Sequence, residues 1–309
     1  MQIKKIPLLV ICGPTASGKT ALAIEAAERF GGEIVNADSM QIYKYMDIGT
    51  AKPTPEELAA AKHHLIGFVD PRESFSVADY VPLAHDAIYD IHSRGRLPIL
   101  AGGTGLYITS VVNDVSFGDG GSDPEIRGEL NRLAEERGAE YLLGILSEFD
   151  PESAERLHPN NTRRIIRAIE FYRTTGKTIS EHQRETRLTD SRYDPLMVML
   201  DFERAVLYER INIRVDKMLA EGLTEEVKRL LEMGCTPDSQ SMQGIGYKET
   251  VEYISGKISL EECAELIKMN TRRYAKRQLT WFRRDERIVL LKPGESIIEK
   301  ISEKFKNFS

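Results

Sequence analysis

The stretch from Gly13 to Thr20, with the sequence GPTASGKT, constrains the fold more than any other part of the chain. Two glycines separated by four residues are followed at once by lysine and threonine, which is the pattern of a phosphate-binding loop. An apolar run at 7–12 precedes the loop and predicts a buried strand, and 21–30 predicts a helix after it. This strand, loop and helix predict an α/β fold with a parallel sheet and a P-loop NTPase-like core. Glycines that serve only a turn and a helix cap are the disfavoured alternative.

The chemistry of such a loop follows from its backbone. Glycines let the chain turn tightly around an anion, and the first N–H groups of the following helix have no partners within the helix. Lys19 adds a positive charge, and the Thr20 hydroxyl can bind Mg²⁺. The residues predicted to bind a diphosphate or triphosphate are Gly13, Pro14, Thr15, Ala16, Ser17, Gly18, Lys19 and Thr20.

Composition and charge limit the class of protein. The 309 residues are 41% hydrophobic and 29% charged, as in an ordinary soluble globular protein, and the net charge is −6. A polyanionic partner would therefore have to meet a locally basic face. Cys12, Cys235 and Cys263 are widely spaced, which argues against a disulfide framework and against paired metal ligands. We expect a cytoplasmic protein, since no apolar segment is long enough to span a membrane.

Two further loops follow predicted strands. A strand at 33–37 ends at Asp38, which is either a turn or helix-capping residue or a carboxylate aimed at a reacting group in the ligand crevice. A strand at 97–101 runs into a second glycine loop that contains Thr104. That loop is either a second anion or substrate-positioning edge or only a tight turn.

The middle of the chain changes character at 118–124, where glycine, aspartate and serine form a linker-like segment. The pattern from there to about residue 193 is helical, with 141–146 as the longest strand-like run, and a buried strand returns at 195–201. We predict an α/β core formed by 1–117 and 195–309, with an all-helical insertion at 118–194.

Two predicted helices carry basic stripes. Arg163, Arg164 and Arg167 fall within an arc of roughly 100° on a helix at 161–174. A long helix at about 260–284 has no acidic residue after position 270, so repulsion along its basic face is unrelieved within the helix. These stripes are either solvated faces or sites for a polyanion. The basic residues of the long helix are Arg272, Arg273, Lys276, Arg277, Arg283 and Arg284.

Together these features predict transfer of a group from a phosphorylated donor, with nucleic acid as a plausible acceptor. The absence of Asp-x-x-Gly and of a guanine-reading Asn-Lys-x-Asp motif disfavours a signalling GTPase. Two alternatives stay open. One is a small-molecule or nucleoside kinase that uses ATP and Asp38 as a base. The other is an RNA-binding module that only senses nucleotide.

Five motifs, in order, carry a specific resemblance. GPTASGKT, DSMQIY, GGTGLY, QGIGYKE and KRQLTWFR resemble the ordered motifs of the bacterial tRNA dimethylallyltransferase family, and they extend from Gly13 to Arg283. The resemblance implies transfer of a dimethylallyl group from dimethylallyl diphosphate to N6 of adenosine 37 in the tRNA anticodon loop, with release of pyrophosphate and a need for Mg²⁺. It implies that the phosphate loop holds the leaving pyrophosphate. A monomer that acts on the anticodon stem-loop without a membrane is expected.

The same resemblance implies roles for individual residues. Asp38 matches the catalytic aspartate, Arg214 an arginine near the diphosphate, and Thr104 and Arg127 positions near the tRNA. Relatives often have Gln-Arg where this chain has Thr162-Arg163. The residues expected to act in catalysis are Asp38, Lys19, Thr20, Thr104 and Arg214. Together with the basic stripes, the residues expected to contact tRNA are Asp38, Ser39, Met40, Gln41, Thr104, Arg127, Thr162, Arg163, Arg164, Ile165, Ile166, Arg167, Gln243, Gly244, Ile245, Gly246, Tyr247, Lys248, Arg272, Lys276, Arg277 and Arg283.

Overall fold

The computed structural model describes residues 5–115, 117, 123–188, 191–292 and 297–305. The chain divides into a core unit, Met1–Val112 with Arg192–Ser309, and a helical unit, Asn113–Ser191. The helical unit thus ends before the predicted limit of 194, because the returning strand pairs with the first strand from Tyr193 onward. Most of the predicted linker at 118–124 lies outside the described residues.

The core unit is built on a six-stranded sheet with the order β3-β2-β4-β1-β5-β6. All five strand pairings are parallel. Helices on both faces bury such a sheet, so the central strands are apolar along their length instead of alternating. The strands are β1 (Ile6–Cys12), β2 (Glu33–Asn36), β3 (His63–His64), β4 (Pro98–Gly102), β5 (Tyr193–Leu200) and β6 (Ile288–Leu291).

Fourteen α-helices lie in the described part of the chain. They are α1 (Lys19–Phe30), α2 (Pro55–Ala60), α3 (Val77–Ser93), α4 (Gly105–Val112), α5 (Pro124–Arg137), α6 (Ala139–Phe149), α7 (Pro151–Arg156), α8 (Thr162–Thr175), α9 (Ile179–Leu188), α10 (Arg204–Ala220), α11 (Leu223–Glu232), α12 (Tyr247–Ile254), α13 (Leu260–Phe282) and α14 (Ile297–Lys304). None of the helices in these described ranges is long and apolar enough to cross a membrane.

The sheet is covered on both sides. Leu9 and Ile11 of β1 pack with Phe30 of α1 and Ile301 of α14 in one apolar cluster. Helix α3 contacts β2 and β4, and α4 contacts β1 and β4. Helices α10 and α13 pack against each other, and α13 also contacts α4.

The strand order determines where the loops meet. Strand β4 lies between β1 and β2, so the loops after these three strands leave neighbouring points on one edge of the sheet. Those loops are the phosphate loop, the segment that begins at Asp38, and the second glycine loop. The parallel topology therefore places all three in the crevice where α/β sheets bind ligands.

The helical unit has its own core, formed by α5, α6 and α8. The strand-like run at 141–146 lies inside α6, so that reading is wrong. Its apolar Leu142 and Leu146 are four residues apart and both fully buried, which is helical spacing.

Two local predictions in the core unit are wrong in detail: sequence patterns predict a helix from Pro55 that ends near His63 and His64, and a helix to Met233 that Thr224 caps. His63 and His64 form the short edge strand β3, paired with Ile34 and Val35, and not a solvated helix end. Helix α2 stops earlier, at Ala60. Helix α11 is preceded by Gly222 in a left-handed conformation (φ 99°), so Thr224 lies inside it and does not cap it.

Candidate active site

The phosphate loop follows β1 and leads directly into α1. Gly13 and Gly18 have φ values of 144° and 84°, which side chains rarely allow, and Ala16 has φ 62°. Strained backbone of this kind persists where surrounding structure enforces it, often at binding sites. The Ser17 hydroxyl is buried and has no hydrogen-bond partner among the described residues. An unpaired buried hydroxyl costs free energy that a bound anion would recover.

A cavity of about 830 Å³ opens beside this loop. The volume lies in the range of small-molecule sites. One wall is the loop and the start of α1, a second is α10, and a third is the segment 47–58. Cationic side chains from all three walls line it, and acidic side chains stand at its margins. The cations are Lys19, Lys52, Arg210, Arg214 and Lys217, and the carboxylates are Asp47, Glu57 and Glu221.

Two of those cations, Lys19 and Arg214, are half-buried and have lowered pKa values. Burial lowers the pKa of Lys19 to about 8, and the charge of Asp38 opposes that shift. Burial also lowers the pKa of Arg214, again opposed by Asp38. The Lys19 ammonium donates to the Pro14 carbonyl at 3.4 Å, within its own loop. An anionic ligand in the cavity would stabilise both charges, so the electrostatics favour a phosphate or diphosphate.

Asp38 stabilises a turn and also lines a small cavity beside the phosphate loop. One carboxylate oxygen, Oδ1, accepts a hydrogen bond from the Met40 N–H at 2.9 Å and stabilises the turn. The side chain is half-buried and also lines a cavity of about 30 Å³ with Lys19, Thr20 and His63. A polar cavity of that volume has room for a water molecule. Asp38 therefore lies within a polar site that it shares with the phosphate loop.

The second glycine loop packs on the end of β2. Thr104 Oγ1 accepts a hydrogen bond from the Ser39 N–H at 2.9 Å, and the Thr104 N–H donates to the Ala37 carbonyl at 3.1 Å. A Cβ at Gly102 would collide with the Ala37 backbone, so glycine is required there. This loop is thus more than a tight turn, because it holds the residues on both sides of Asp38.

Side-chain hydrogen bonds that the sequence patterns did not reveal hold the segment after Asp38 in place. Gln41 Nε2 donates to the carbonyls of Thr50 and Ala51 at 3.2 and 3.0 Å. Arg214 reaches the same Thr50 carbonyl at 3.4 Å. These contacts occupy the amide donors of Gln41, which was expected to contact tRNA.

Glu226 of α11 was also missed. Its buried carboxylate accepts hydrogen bonds from the N–H groups of Asp47, Ile48 and Gly49 at 2.8, 2.8 and 3.0 Å, and from the Tyr247 hydroxyl at 2.7 Å. The one available signal was an acidic residue on the apolar side of an amphipathic helix. Glu226 anchors the cavity wall opposite the phosphate loop.

The motif at 243–248 divides into exposed and buried parts. Gln243 and Lys248 are exposed, whereas Gly246 and Tyr247 are buried. The Tyr247 hydroxyl donates to Glu226 inside the core unit. Its side chain is therefore not available as a tRNA contact, because it is part of the anchor for 47–49.

Within the helical unit, the predicted stripe on α8 is partly neutralised. Arg127 of α5 and Arg167 of α8 both bind the fully buried carboxylate of Glu170, at 2.8 and 2.9 Å. Arg163 and Arg164 are exposed. The side chains of Ile165 and Ile166 belong to the core of the unit, so they are not surface contacts. Thr162 is half-buried at the start of α8.

The stripe on α13 is also partly relieved by other elements. Arg283 binds Asp201 at 2.9 Å, and Arg272 donates to the Asn212 amide oxygen at 2.6 Å. Asp201 therefore offsets the charge of Arg283 from outside the helix, whereas the neutral Asn212 amide only accepts a hydrogen bond from Arg272. Lys276 and Arg277 are exposed, and the Arg277 guanidinium lies 5.7 Å from the centre of the Tyr274 ring.

No cluster of three or more histidine, cysteine, aspartate or glutamate residues in the described ranges could hold a metal ion. Mg²⁺ does not need such a cluster, because it commonly binds one or two protein oxygens together with substrate phosphates and water. The Thr20 hydroxyl and the Asp38 carboxylate line the same small cavity and could supply those oxygens. The donor set fits a magnesium ion that arrives with a diphosphate.

Comparison with known proteins agrees with this arrangement. The model of the IPP transferase family matches residues 41–285, and the isopentenyl transferase model matches residues 6–69. The chain belongs to the IPP transferase family. The tRNA dimethylallyltransferase of Caldanaerobacter subterraneus subsp. tengcongensis is 54% identical over 90% of this chain and 89% of that protein. The tRNA dimethylallyltransferase of Acetivibrio thermocellus is 53% identical over 93% of this chain and 92% of that protein.

Solved structures of IPP transferases have the same architecture. The full-length tRNA isopentenylpyrophosphate transferase of Bacillus halodurans matches with a TM-score of 0.72 and 46% sequence identity. The match covers 98% of this chain and 95% of that protein's chain. A eukaryotic dimethylallyltransferase, described as acting on tRNA, has a TM-score of 0.83 and 32% identity over 98% of this chain and 79% of its own. The resemblance seen in the motifs is confirmed over nearly the whole chain.

Proposed function

We propose that this IPP transferase transfers a dimethylallyl group from dimethylallyl diphosphate to N6 of adenosine 37 in tRNA and releases pyrophosphate. The observation that carries the proposal is the meeting of three loops at adjacent strand ends. One loop can hold the diphosphate, one contains Asp38, and one fixes Asp38 through Thr104.

The phosphate loop and its cations would hold the leaving group. As the allylic carbon–oxygen bond breaks, negative charge grows on the diphosphate. Lys19, Arg214 and the N–H groups at the start of α1 stabilise that charge where it develops. Their desolvation strengthens the interaction, because buried charges are less screened than exposed ones.

Asp38 would act as the general base. The exocyclic amine of adenine is a weak nucleophile, and a carboxylate within hydrogen-bonding reach can take its proton as nitrogen attacks the allylic carbon. The Met40 N–H and the Thr104 contact with Ser39 hold the turn around Asp38 in place. Adenosine 37 would have to leave its stack to reach this carboxylate, which costs least in an unpaired loop.

Mg²⁺ would supply further charge stabilisation on the diphosphate. The Thr20 hydroxyl is the side chain that would hold it, which leaves the Asp38 carboxylate to act as the base. The exposed arginines Arg163 and Arg164 of the helical unit, with Lys276 and Arg277 of α13, would bind tRNA phosphates. We infer a cytoplasmic protein, because its three buried cysteines are free thiols, and we propose that it acts as a monomer.

Product analysis tests this proposal against its alternatives. The protein is mixed with tRNA and Mg²⁺ and with either dimethylallyl diphosphate or ATP, and the nucleosides of the digested tRNA are separated. We expect dimethylallyl adenosine and pyrophosphate from the first mixture only. Formation of ADP would favour the kinase, and tRNA binding without any product would favour the RNA-binding sensor.

A further inference from the structure

Gln278 of α13 is a buried polar residue that the proposed function does not use. We propose that Gln278 is a positioning residue that joins the phosphate loop to the second glycine loop and so sets the distance between the leaving group and the general base. This inference rests on the proposed function and concerns residues of the core unit alone.

Two hydrogen bonds define the link. Gln278 Oε1 accepts from the backbone N–H of Thr15 at 3.0 Å, and Gln278 Nε2 donates to the carbonyl of Gly103 at 2.8 Å. One amide therefore bonds to both glycine loops, each with the correct polarity. A buried amide that lost either partner would leave a polar group unsatisfied, so the two bonds hold each other in place.

Neighbouring residues of α13 support the same contact surface. Tyr274, Gln278 and Trp281 have the spacing of one helical face. A Cβ at Gly103 would collide with Gln278 Nε2, and a Cβ at Gly105 would collide with the Trp281 ring. The glycines of the second loop thus allow α13 to approach closely, which explains their place in the sequence.

The electrostatics of Tyr274 connect this surface to the general base. Burial and the charge of Asp38 raise the pKa of Tyr274, and the nearby polar side chains of Thr104 and Gln278 oppose the shift. Thr104 in turn holds Ser39, the residue after Asp38. A continuous set of contacts therefore runs from Thr15 through Gln278 and the second loop to the turn that carries the base.

The chemical consequence concerns alignment. A nucleophile and its target must approach to roughly 3–3.5 Å along the right line, and a misplacement of about 1 Å can cost roughly 100-fold in rate. The phosphate loop positions the allylic carbon through the diphosphate, whereas the second loop positions Asp38. Gln278 bonds directly to both loops, and it also occupies the Thr15 N–H, so that donor is not left for the ligand.

Misalignment has a distinctive product. If the amine of adenosine is out of line, a water oxygen can attack the allylic carbon instead. The carbon–oxygen bond then breaks, pyrophosphate leaves, and dimethylallyl alcohol forms while a proton passes to solvent. Pyrophosphate release would therefore exceed the formation of modified adenosine. A merely structural role would lower the amount of active protein and would leave that ratio unchanged.

The test uses Gln278→Met, which removes both bonds with little change in volume, and Gln278→Glu, which keeps the acceptor for Thr15 and loses the donor to Gly103. Gln240 provides a matched control, because its amide also makes two backbone bonds, both to Phe75, away from the loops. For each protein, kcat, KM for dimethylallyl diphosphate, and the ratio of pyrophosphate to modified adenosine are measured.

We expect Gln278→Met to lower kcat roughly 10- to 100-fold, to change KM less than about threefold, and to raise the product ratio above one. Gln278→Glu should raise the ratio too, and Gln240→Met should keep it at one. A product ratio of one in both Gln278 variants would overturn the inference, whatever the value of kcat. If Gln278→Met does not fold, Gln278→Glu decides by the same ratio. A wild-type protein that modifies no tRNA would instead refute the proposed function.

Discussion

Thr104 Oγ1 accepts a hydrogen bond from the Ser39 N–H at 2.9 Å, so the loop after β4 holds the residue that follows Asp38. The strands before them, β4 and β2, are neighbours in the sheet. Two segments 65 residues apart in sequence therefore form one rigid turn around a carboxylate. This relationship holds the Asp38 turn in place, as the proposed role of a general base requires.

Replacing Asp38 by asparagine tests that role. We expect Asp38→Asn to lower the rate of transfer roughly 10²–10⁴-fold, because the proton acceptor is lost while the side chain keeps its shape. Binding of both substrates should stay near normal. Asp86→Asn, an exposed change on α3, is the control. Single-turnover kinetics with equilibrium binding would decide, and a rate within about threefold of wild type would leave Asp38 with a structural role only.

Lys19 should lower the folding stability of the protein, although its charge is proposed to bind the diphosphate. Burial reduces its pKa to about 8 in the folded protein, against about 10.5 when unfolded. The unfolded state therefore binds more protons between these values, and the cost of the buried charge is fully present below pH 8 and is lost as pH rises toward 10.5. We expect Lys19→Met to be more stable than wild type at pH 7, by at most about 3 kcal/mol.

Chemical denaturation at pH 7 and pH 9.5 measures this effect. The advantage of Lys19→Met should shrink at the higher pH, and Lys257→Met, at an exposed position, should show neither the gain nor its pH dependence. The same Lys19 variant should lose turnover but keep its affinity for tRNA, because the loop binds the diphosphate. A variant less stable than wild type at pH 7 would contradict the assignment of a costly buried charge.

The basic faces should differ in how they respond to salt. Each phosphate contact releases condensed counterions, so replacing a contacting residue flattens the dependence of tRNA affinity on salt by up to about one logarithmic unit. We expect this for Arg163→Ala and Lys276→Ala. Arg167→Ala should have a smaller effect, since Glu170 already neutralises part of its charge. Slopes parallel to wild type in all three would mean that these faces are only solvated.

Glu226 should matter to the cavity although it lies behind its wall. Its carboxylate accepts three N–H groups from 47–49, and an amide in its place would turn an NH₂ group toward at least one of them. We expect Glu226→Gln to destabilise the protein by about 1–3 kcal/mol and to raise KM for dimethylallyl diphosphate. Tyr247→Phe removes a single hydrogen bond and should cost about 1 kcal/mol. Denaturation and steady-state kinetics check both variants.

Local signals predicted the parts of the site that lie within one motif. The phosphate loop, the apolar strands and the long helices follow from glycine placement and periodicity, because those effects act between residues close in sequence. The parallel sheet, P-loop-like core and family membership were predicted correctly. The edge strand at His63 could not be predicted from the sequence. It has only two residues, too few to show a periodic pattern, and it pairs with Ile34, which is distant in the chain.

The hydrogen-bond partners of buried polar side chains could not be predicted from the sequence either. Glu226 and Gln278 look like ordinary residues of amphipathic helices, and their roles depend on backbone groups roughly 175 residues away. The basic stripes show the same limit of sequence-based prediction for charged surface residues. Helical periodicity identified Arg167 and Arg283, but it could not show that Glu170 and Asp201 pair with them.

Transfer with labelled dimethylallyl diphosphate measures the central claim most directly. Native tRNA and the same tRNA with guanosine in place of adenosine 37 are incubated with the protein, and label on tRNA is counted against pyrophosphate released. We predict one label, located on N6 of adenosine 37, and one released pyrophosphate for each native tRNA, and no label on the substituted tRNA. Label on the substituted tRNA, or none on the native one, would contradict it.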